Sequence, residues 1–401
     1  MSLNSTASAE RTHIGFFGMR NAGKSSVVNA VTGQNLAVVS DTLGTTTDSV
    51  RKAMELLPAG PVVIIDTPGI DDEGELGQKR VAKAKEELHR CDVAVLVVDA
   101  AVGLRGPDQE LIKAFESSQI PYVVVFNKAD LLEEAVSADP SRTILVSAET
   151  GEGIWELKER IALLAQGASR VRYLLGDLLN PGDLVVLVIP IDESAPKLRL
   201  IMPQQMVVRD CLDHHAIPIC TQVEELEQAL GSLGRKPAMV ITDSQAFGAV
   251  SKLVPEDIPL TSFSILMARY KGNLASFVQG AAALAGLTDD SQVLVCESCS
   301  HHRQCQDIGT VKIPGWVREY AQANPHFAFT SGREFPDDLS GYDLVIHCGG
   351  CMSNAREMAH RMNVADRADV PMVNYGMGIA QMHGILKRSL ELFPDVAALV
   401  E

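Results

Sequence analysis

Short, almost uniformly apolar runs recur through the first 170 positions, most of them ending at Gly, Asp or Asn. "THIGFFG" (12–18), "PVVIID" (61–66), "DVAVLVVD" (92–99), "PYVVVFN" (121–127) and "TILVSA" (143–148) have the length and β-branched content of strands buried on both faces. Between and after them, "KSSVVNAVTG" (24–33), "GQKRVAKAKEELHRC" (77–91) and "GIWELKERIALLAQGA" (153–168) return apolar residues every three or four positions, the period of an amphipathic helix. Strands alternating with helices predict an α/β unit with a parallel sheet.

The alternation resumes with "LLNPGDLVVLVIPID" (178–192), the helical "LIMPQQMVVRDCLDH" (200–214), "AIPICTQ" (216–222), the helical "VEELEQALGSLG" (223–234) and "PAMVITDSQAF" (237–247). A third stretch opens with "SFSILMARYKGNL" (262–274) and carries the strand patterns "QVLVCE" (292–297), "HFAFTSG" (326–332) and "YDLVIHCGG" (342–350). The expected organisation is a flexible tail over 1–10, an α/β unit over 11–168, a small α/β domain over 174–264 and a further α/β domain over 265–401. No internal repeat or low-complexity tract is visible.

Composition narrows the class. With 401 residues, 46% hydrophobic and 21% charged, the chain reads as a soluble globular protein too long for a single core. "MSLNSTASAE" lacks the basic and apolar regions of a secretory signal, so the cytoplasm is the expected location. "LASFVQGAAALAGL" (274–287) is shorter than the roughly 20 residues of a membrane span and predicts a buried helix, with no membrane attachment. A net charge of −16 disfavours a nucleic-acid partner, which needs phosphate-neutralising cations. Eight cysteines in a reducing compartment do not suggest a disulfide framework, and five of them fall between 296 and 351, a concentration that asks for metal or redox chemistry.

The chemistry begins at "GMRNAGKS" (18–25), which fits G-x-x-x-x-G-K-[ST] between a strand and a helix. Gly18 and Gly23 let backbone N–H groups wrap a β-phosphate, Lys24 reaches the β- and γ-oxygens, Ser25 can ligate Mg²⁺, and Ala22 and Ser26 are further expected nucleotide-binding positions. "DTPG" (66–69) ends the next apolar strand, placing Asp66 near the metal and the Gly69 amide near a γ-phosphate. "NKAD" (127–130) supplies Asp130 as acceptor for the paired N–H groups of guanine, Asn127 for the purine edge and Lys128 along it. In "SAETG" (147–151) Ser147 begins the loop whose Ala148 amide would face the guanine oxygen, and "GTTTD" (44–48) carries a threonine able to close over Mg²⁺ and the γ-phosphate.

Five elements in this order resemble the TrmE/Era-like GTPases over residues 10 to 167. The resemblance implies Thr46 as the switch threonine, with Thr45 and Thr47 as rivals, and therefore Lys24, Thr46, Asp66 and Gly69 as the hydrolytic set acting on GTP and Mg²⁺. It also implies that Asn21 ligates a K⁺ ion, against the alternative that it merely forms a turn. Ile70 follows "DTPG" where Ras-like enzymes place a water-orienting Gln, which predicts slow intrinsic hydrolysis. Asp71, Asp72 or Glu73 could fill that role, and nothing in the sequence selects one.

Thiolates and imidazoles in "CESCSHHRQC" (296–305) and "HCGGC" (347–351) suit either zinc or an iron–sulfur cluster. Cys299 and His301 form a C-x-H half, and 45 residues later (302–346) His347, Cys348 and Cys351 form an H-C-x-x-C half. This pattern, with "HHRQCQDIGTVKIPGW" (301–316), resembles the cluster site of HydF, the GTPase family of iron–iron hydrogenase maturation. The resemblance implies Cys299, Cys348 and Cys351 as ligands of a 4Fe-4S cluster and His347 as a labile or absent fourth ligand, with His301 preferred to His302 nearby. It further implies a homodimer through the middle domain, a diiron subcluster precursor received from radical-enzyme maturases, and delivery to apo iron–iron hydrogenase. Cys296 is either a buried thiol or an alternative fourth ligand, Cys305 reads as structural, and Cys91, Cys211 and Cys220 read as core thiols. Trp155 and Trp316 read as packing anchors. A ribosome or tRNA maturation GTPase with a structural zinc is the competing function. A radical enzyme would need a C-x-x-x-C-x-x-C run that Cys296, Cys299 and Cys305 do not provide.

Overall fold

The computed structural model describes residues 8–34, 50–70, 84, 86–132, 141–168, 172–191, 200–298, 307–332 and 334–400. Thr45, Thr46, Thr47, Asp71, Asp72, Glu73, Cys299, His301, His302 and Cys305 lie outside the described residues. The chain divides into two compact units, Met1–Val171 and Arg172–Glu401.

In the first unit, strands β1 (Thr12–Gly18), β2 (Val50–Leu56), β3 (Gly60–Asp66), β4 (Val93–Asp99), β5 (Tyr122–Asn127) and β6 (Thr143–Leu145) form one sheet in the order β2-β3-β1-β4-β5-β6. All neighbours are parallel except β2, which runs antiparallel to β3. Successive residues of one strand feed opposite faces, as the strand period demands. Ile14 and Phe16 join a core with Val27, Val28, Leu157 and Ile161, whereas Phe17 joins Ile65, Leu111 and Phe115 on the other side. The apolar runs are continuous because helices cover both faces. β2 was not expected from the sequence, since "VRKAMEL" is exposed or half-buried at every position except Leu56 and shows no apolar period.

The second unit holds two four-stranded parallel sheets. β7 (Leu184–Val188), β8 (Ile217–Thr221), β9 (Met239–Thr242) and β10 (Leu260–Ser262) lie in the order β10-β9-β7-β8. β11 (Gln292–Glu297), β12 (His326–Ser331), β13 (Leu344–His347) and β14 (Met372–Asn374) lie in the order β12-β11-β13-β14. One hydrophobic cluster runs through both, from Leu174 to Phe393. The helix Phe263–Lys271 starts directly from β10, capped by the Ser262 hydroxyl, which accepts from the Ile265 N–H at 3.2 Å. It packs on the helices Leu274–Ala283 and Tyr375–Met382. Leu274–Ala283 is the buried helix its composition predicts, and no helix among the described residues is long and apolar enough to cross a membrane.

Two expected core residues are elsewhere. Cys91 and Cys211 are buried, but Cys220 is exposed, because β8 ends its sheet and leaves its outer side open. Trp316 packs on the core and meets the His383 ring edge-on, but Trp155 is 58% exposed. It falls beside the buried stripe of its helix, which runs Ile154, Leu157, Ile161, Ala165.

Candidate nucleotide site and cysteine loop

The ends of β1, β3, β4 and β5 bring the nucleotide motifs to one edge of the first sheet, where ligands of open parallel sheets bind. β1 runs out at Gly18 and the helix Lys24–Thr32 begins six residues later. Asn21 is exposed with φ 65°, a left-handed conformation that asparagine tolerates. Gly23 also turns left-handed at φ 81°, and a Cβ there would stand 2.2 Å from Asn127 Nδ2, so only glycine fits. Ser25 and Ser26 are half-buried in the first turn of that helix. Lys24, 8% exposed, forms an ion pair with Asp66 at the end of β3.

Ile70 is buried and stitches the two phosphate-side loops together. Its N–H donates to Gly18 O at 3.1 Å, and its carbonyl accepts from Arg20 N–H at 3.3 Å. A side chain held inward in this way has no access to an attacking water. Gly69 lies close against the Arg20 backbone: a Cβ on it would stand 3.1 Å from the Arg20 Cα.

Asn127, 2% exposed, is a brace between three loops. Its Nδ2 donates to Ala22 O at 3.1 Å, and its Oδ1 accepts from the Ala148 N–H at 3.1 Å. The Ala148 amide, expected to face a guanine oxygen, is thus engaged by Asn127. Lys128 takes a left-handed φ of 66° and pairs with Asp99 at the end of β4. Asp130 is exposed in a single 3-10 turn, Ala129–Leu131. Ser147 is fully buried, and its hydroxyl accepts from the Thr150 N–H at 3.1 Å, which shapes the loop carrying Ala148.

The cysteine loop lies where β11 and β13, paired in register with Cys296 opposite His347, both end. Gly350 makes the turn at φ 65°, and a Cβ there would meet Met358 Sδ at 3.0 Å. The Cys348 sulfur accepts the N–H of Ser298 at 3.1 Å and of Gly350 at 3.4 Å. Burial pushes this thiol up, but the His347 ring and the two backbone donors outweigh it and hold the thiol below its ordinary value. The Cys351 thiol is raised, chiefly by burial and then by the Cys348 charge, with Lys271 acting in the opposite sense. The Ser298 hydroxyl, on the residue whose N–H meets this sulfur, is buried and has no hydrogen-bond partner among the described residues. A sulfur wrapped by N–H donors, beside a second cysteine and an orphaned hydroxyl, is donor chemistry that fits a soft cationic centre. Among the described residues alone, no three His, Cys, Asp or Glu side chains converge as a metal site.

Cys296 is fully buried and accepts from the Thr330 hydroxyl at 3.2 Å, and burial pushes it up to about 12. It is a protonated core thiol in this structure. His347 is also fully buried, with both ring nitrogens engaged: Nδ1 lies 2.7 Å from Cys348 O and Nε2 lies 3.0 Å from Arg361 NH1.

Four residues around the loop carried no sequence signal. Arg361 and Lys271 are buried cations on helices whose patterns read as ordinary amphipathic surface. Tyr375 donates to the buried carboxylate of Glu297 at 3.3 Å, and its hydroxyl is pushed well above 10 by burial, the Cys348 charge and Glu297.

Comparison with known proteins divides along the two units. A 50S ribosome-binding GTPase family matches residues 13–128. The tRNA modification GTPase MnmE of Chromobacterium violaceum is 35% identical over 156 residues, covering 38% of this chain and 34% of that protein. GTPase Der of Kosmotoga olearia is 32% identical over 171 residues, covering 38% of each. The chain thus spans about a third of the length of these curated relatives. Among solved structures, Aquifex aeolicus Era bound to GDP and aluminium fluoride aligns with TM-score 0.35 and 20% identity over 55% of this chain and 98% of that one, too distant to bear on function. The first unit is a P-loop GTPase domain by its family match and its ordered motifs. In the second unit, the hydrogen maturase F dimerization domain matches residues 174–272 and the hydrogen maturase F tetramerization domain matches residues 275–392. With both domains found in sequence behind a GTPase domain, the chain belongs to the hydrogen maturase F (HydF) family.

Proposed function

We propose that this chain is a GTP-hydrolysing scaffold and carrier that binds a 4Fe-4S cluster through Cys299, Cys348 and Cys351 and delivers a diiron precursor to apo iron–iron hydrogenase. The observation that carries the cluster assignment is the Cys348 sulfur, held by two backbone N–H donors one strand away from the segment leading to Cys299. The cluster would supply an iron with an exchangeable position to which a cargo ligand can bridge. The chain's own part is to present thiolates on a turned loop and keep the other nearby groups, Cys296 and His347, occupied with protein partners.

At the other unit, Lys24 exchanges its Asp66 partner for phosphate oxygens, while Ser25 and Thr46 hold Mg²⁺ and Asp130 reads guanine. Hydrolysis is slow because Ile70 is turned into the core. Dimerisation through the residues 174–264 and a cluster-binding role for 265–401 complete the reading, with the radical-enzyme maturases as donors of the diiron precursor. The protein works in the cytoplasm. The alternative, a tRNA or ribosome maturation GTPase with structural zinc, draws only on relatives that match the GTPase unit.

The test is anaerobic reconstitution of the full chain followed by iron, sulfide and zinc analysis, alongside GTP and ATP turnover. Iron and sulfide near four of each per chain and a GTP-selective rate are expected. Stoichiometric zinc without sulfide would support the alternative.

A further inference from the structure

Lys271 closes the helix Phe263–Lys271 and is 6% exposed. Its ammonium donates to Ser353 O at 2.8 Å, Gly350 O at 3.3 Å and Cys351 O at 3.4 Å. Three carbonyls of the cysteine turn therefore converge on one cation. In a trans peptide the N–H points opposite to the carbonyl. The peptide units whose oxygens face Lys271, Gly350–Cys351 and Cys351–Met352, thus turn their N–H groups the other way, and both of these N–H groups act on the Cys351 sulfur. The geometry is that of a backbone nest whose negative ends are held by a fixed charge. Burying an ammonium is costly unless it is well paired. The three carbonyls pair this one, and its charge additionally favours an anionic thiolate-bound group on the sulfur side of the turn.

We propose that Lys271 is the positioning residue of the cysteine loop: it locks the 350–353 backbone so that amide N–H groups face sulfur, and its charge stabilises the anionic cluster and sets its reduction potential. This rests on the iron–sulfur reading above. The ammonium is engaged by carbonyls of the turn, so it would act on the cluster through the peptide units and the electrostatic field and not as a ligand. Loss of a positive charge beside a cluster disfavours the more negative, reduced state.

The test uses the full chain with Lys271→Gln, which keeps donors but removes charge, and Lys271→Arg, which keeps charge. Folding is checked by circular dichroism, iron release by chelator challenge, and midpoint potential by a dye-mediated titration read by electron paramagnetic resonance. Lys271→Gln should lose iron at least about tenfold faster, the scale of one hydrogen bond to a charged group, and shift the midpoint to a more negative value. Lys271→Arg should keep the parental midpoint. A parental midpoint and release rate in Lys271→Gln, or an equal shift in both variants, overturns the proposal alone. A parent that binds zinc and no iron overturns the cluster reading, and the potential-setting role with it. Should Lys271→Gln fail to fold, the parent labelled with ¹⁵N-lysine provides the reading. It should show an exchange-protected ammonium signal that broadens on cluster loading, and absence of any such signal overturns the proposal.

Discussion

Arg361 NH1 donates to His347 Nε2 at 3.0 Å, and this one bond fixes the state of the imidazole. A guanidinium cannot accept, so Nε2 is the unprotonated nitrogen and Nδ1–H donates to Cys348 O at 2.7 Å. His347 is therefore a strut with both ring nitrogens engaged. The Cys348 sulfur is held between this ring and the N–H groups of Ser298 and Gly350.

His347→Gln should accordingly retain its cluster. Iron and sulfide per chain should match the parent, and the parent's paramagnetic spectrum should carry no strong imidazole nitrogen coupling. A coupling present in the parent and lost in the variant would make His347 a ligand.

Arg361 is the more consequential residue for stability. It is 1% exposed, and besides His347 it donates to Gly332 O at 2.9 Å and to Glu357 Oε1 at 2.8 Å, with Phe335 stacked 5.2 Å from the guanidinium. Arg361→Met removes a donor from the Glu357 carboxylate and from the His347 ring and takes a paired charge out of the core, which should destabilise the second unit by about 3–5 kcal/mol. Urea unfolding of the apo chain checks this, and a loss under about 1 kcal/mol would mean the network is dispensable.

Asp130→Asn should weaken GTP binding by about 10²-fold and erase the preference over ATP, since two guanine donors lose their acceptor at roughly 1–3 kcal/mol apiece. Competition of the two nucleotides for a fluorescent analogue measures it. Unchanged discrimination would remove Asp130 from the guanine site.

Asn21 holds a left-handed turn, which both a structural and an ion-binding asparagine would do. If it ligates K⁺, GTP turnover should be higher in K⁺ than in Na⁺ at equal ionic strength, and Asn21→Gly, which tolerates the same φ, should abolish the difference. Equal rates in the two salts would leave Asn21 as a turn former.

Much of the fold was legible because β1, β3, β4 and β5 are buried on both faces, which writes continuous apolar runs into the sequence. β2 was not, because it is an edge strand whose residues mostly meet water, and only pairing with β3 makes it a strand. The nucleotide motifs are local in sequence and could be named residue by residue. Asn127 bracing Ala22, 105 residues away, is a tertiary fact that no window of sequence holds. The cysteine loop divides in the same way. Cys348 and Cys351 announce themselves by spacing, whereas Lys271 and Arg361 reach the loop from 79 and 14 positions off, where a basic residue on a helix ordinarily reads as solvated.

The proposed cluster site uses three cysteines and leaves Cys296 out, and a set of single serine variants measures it most directly. Cys299→Ser, Cys348→Ser and Cys351→Ser, reconstituted anaerobically beside Cys296→Ser, should each lose their iron and sulfide, because a hydroxyl does not replace a soft anionic ligand. Cys296→Ser should keep both, since that sulfur is a buried thiol bonded to Thr330. Loss of iron in Cys296→Ser, or its retention in any of the other three, would contradict the account.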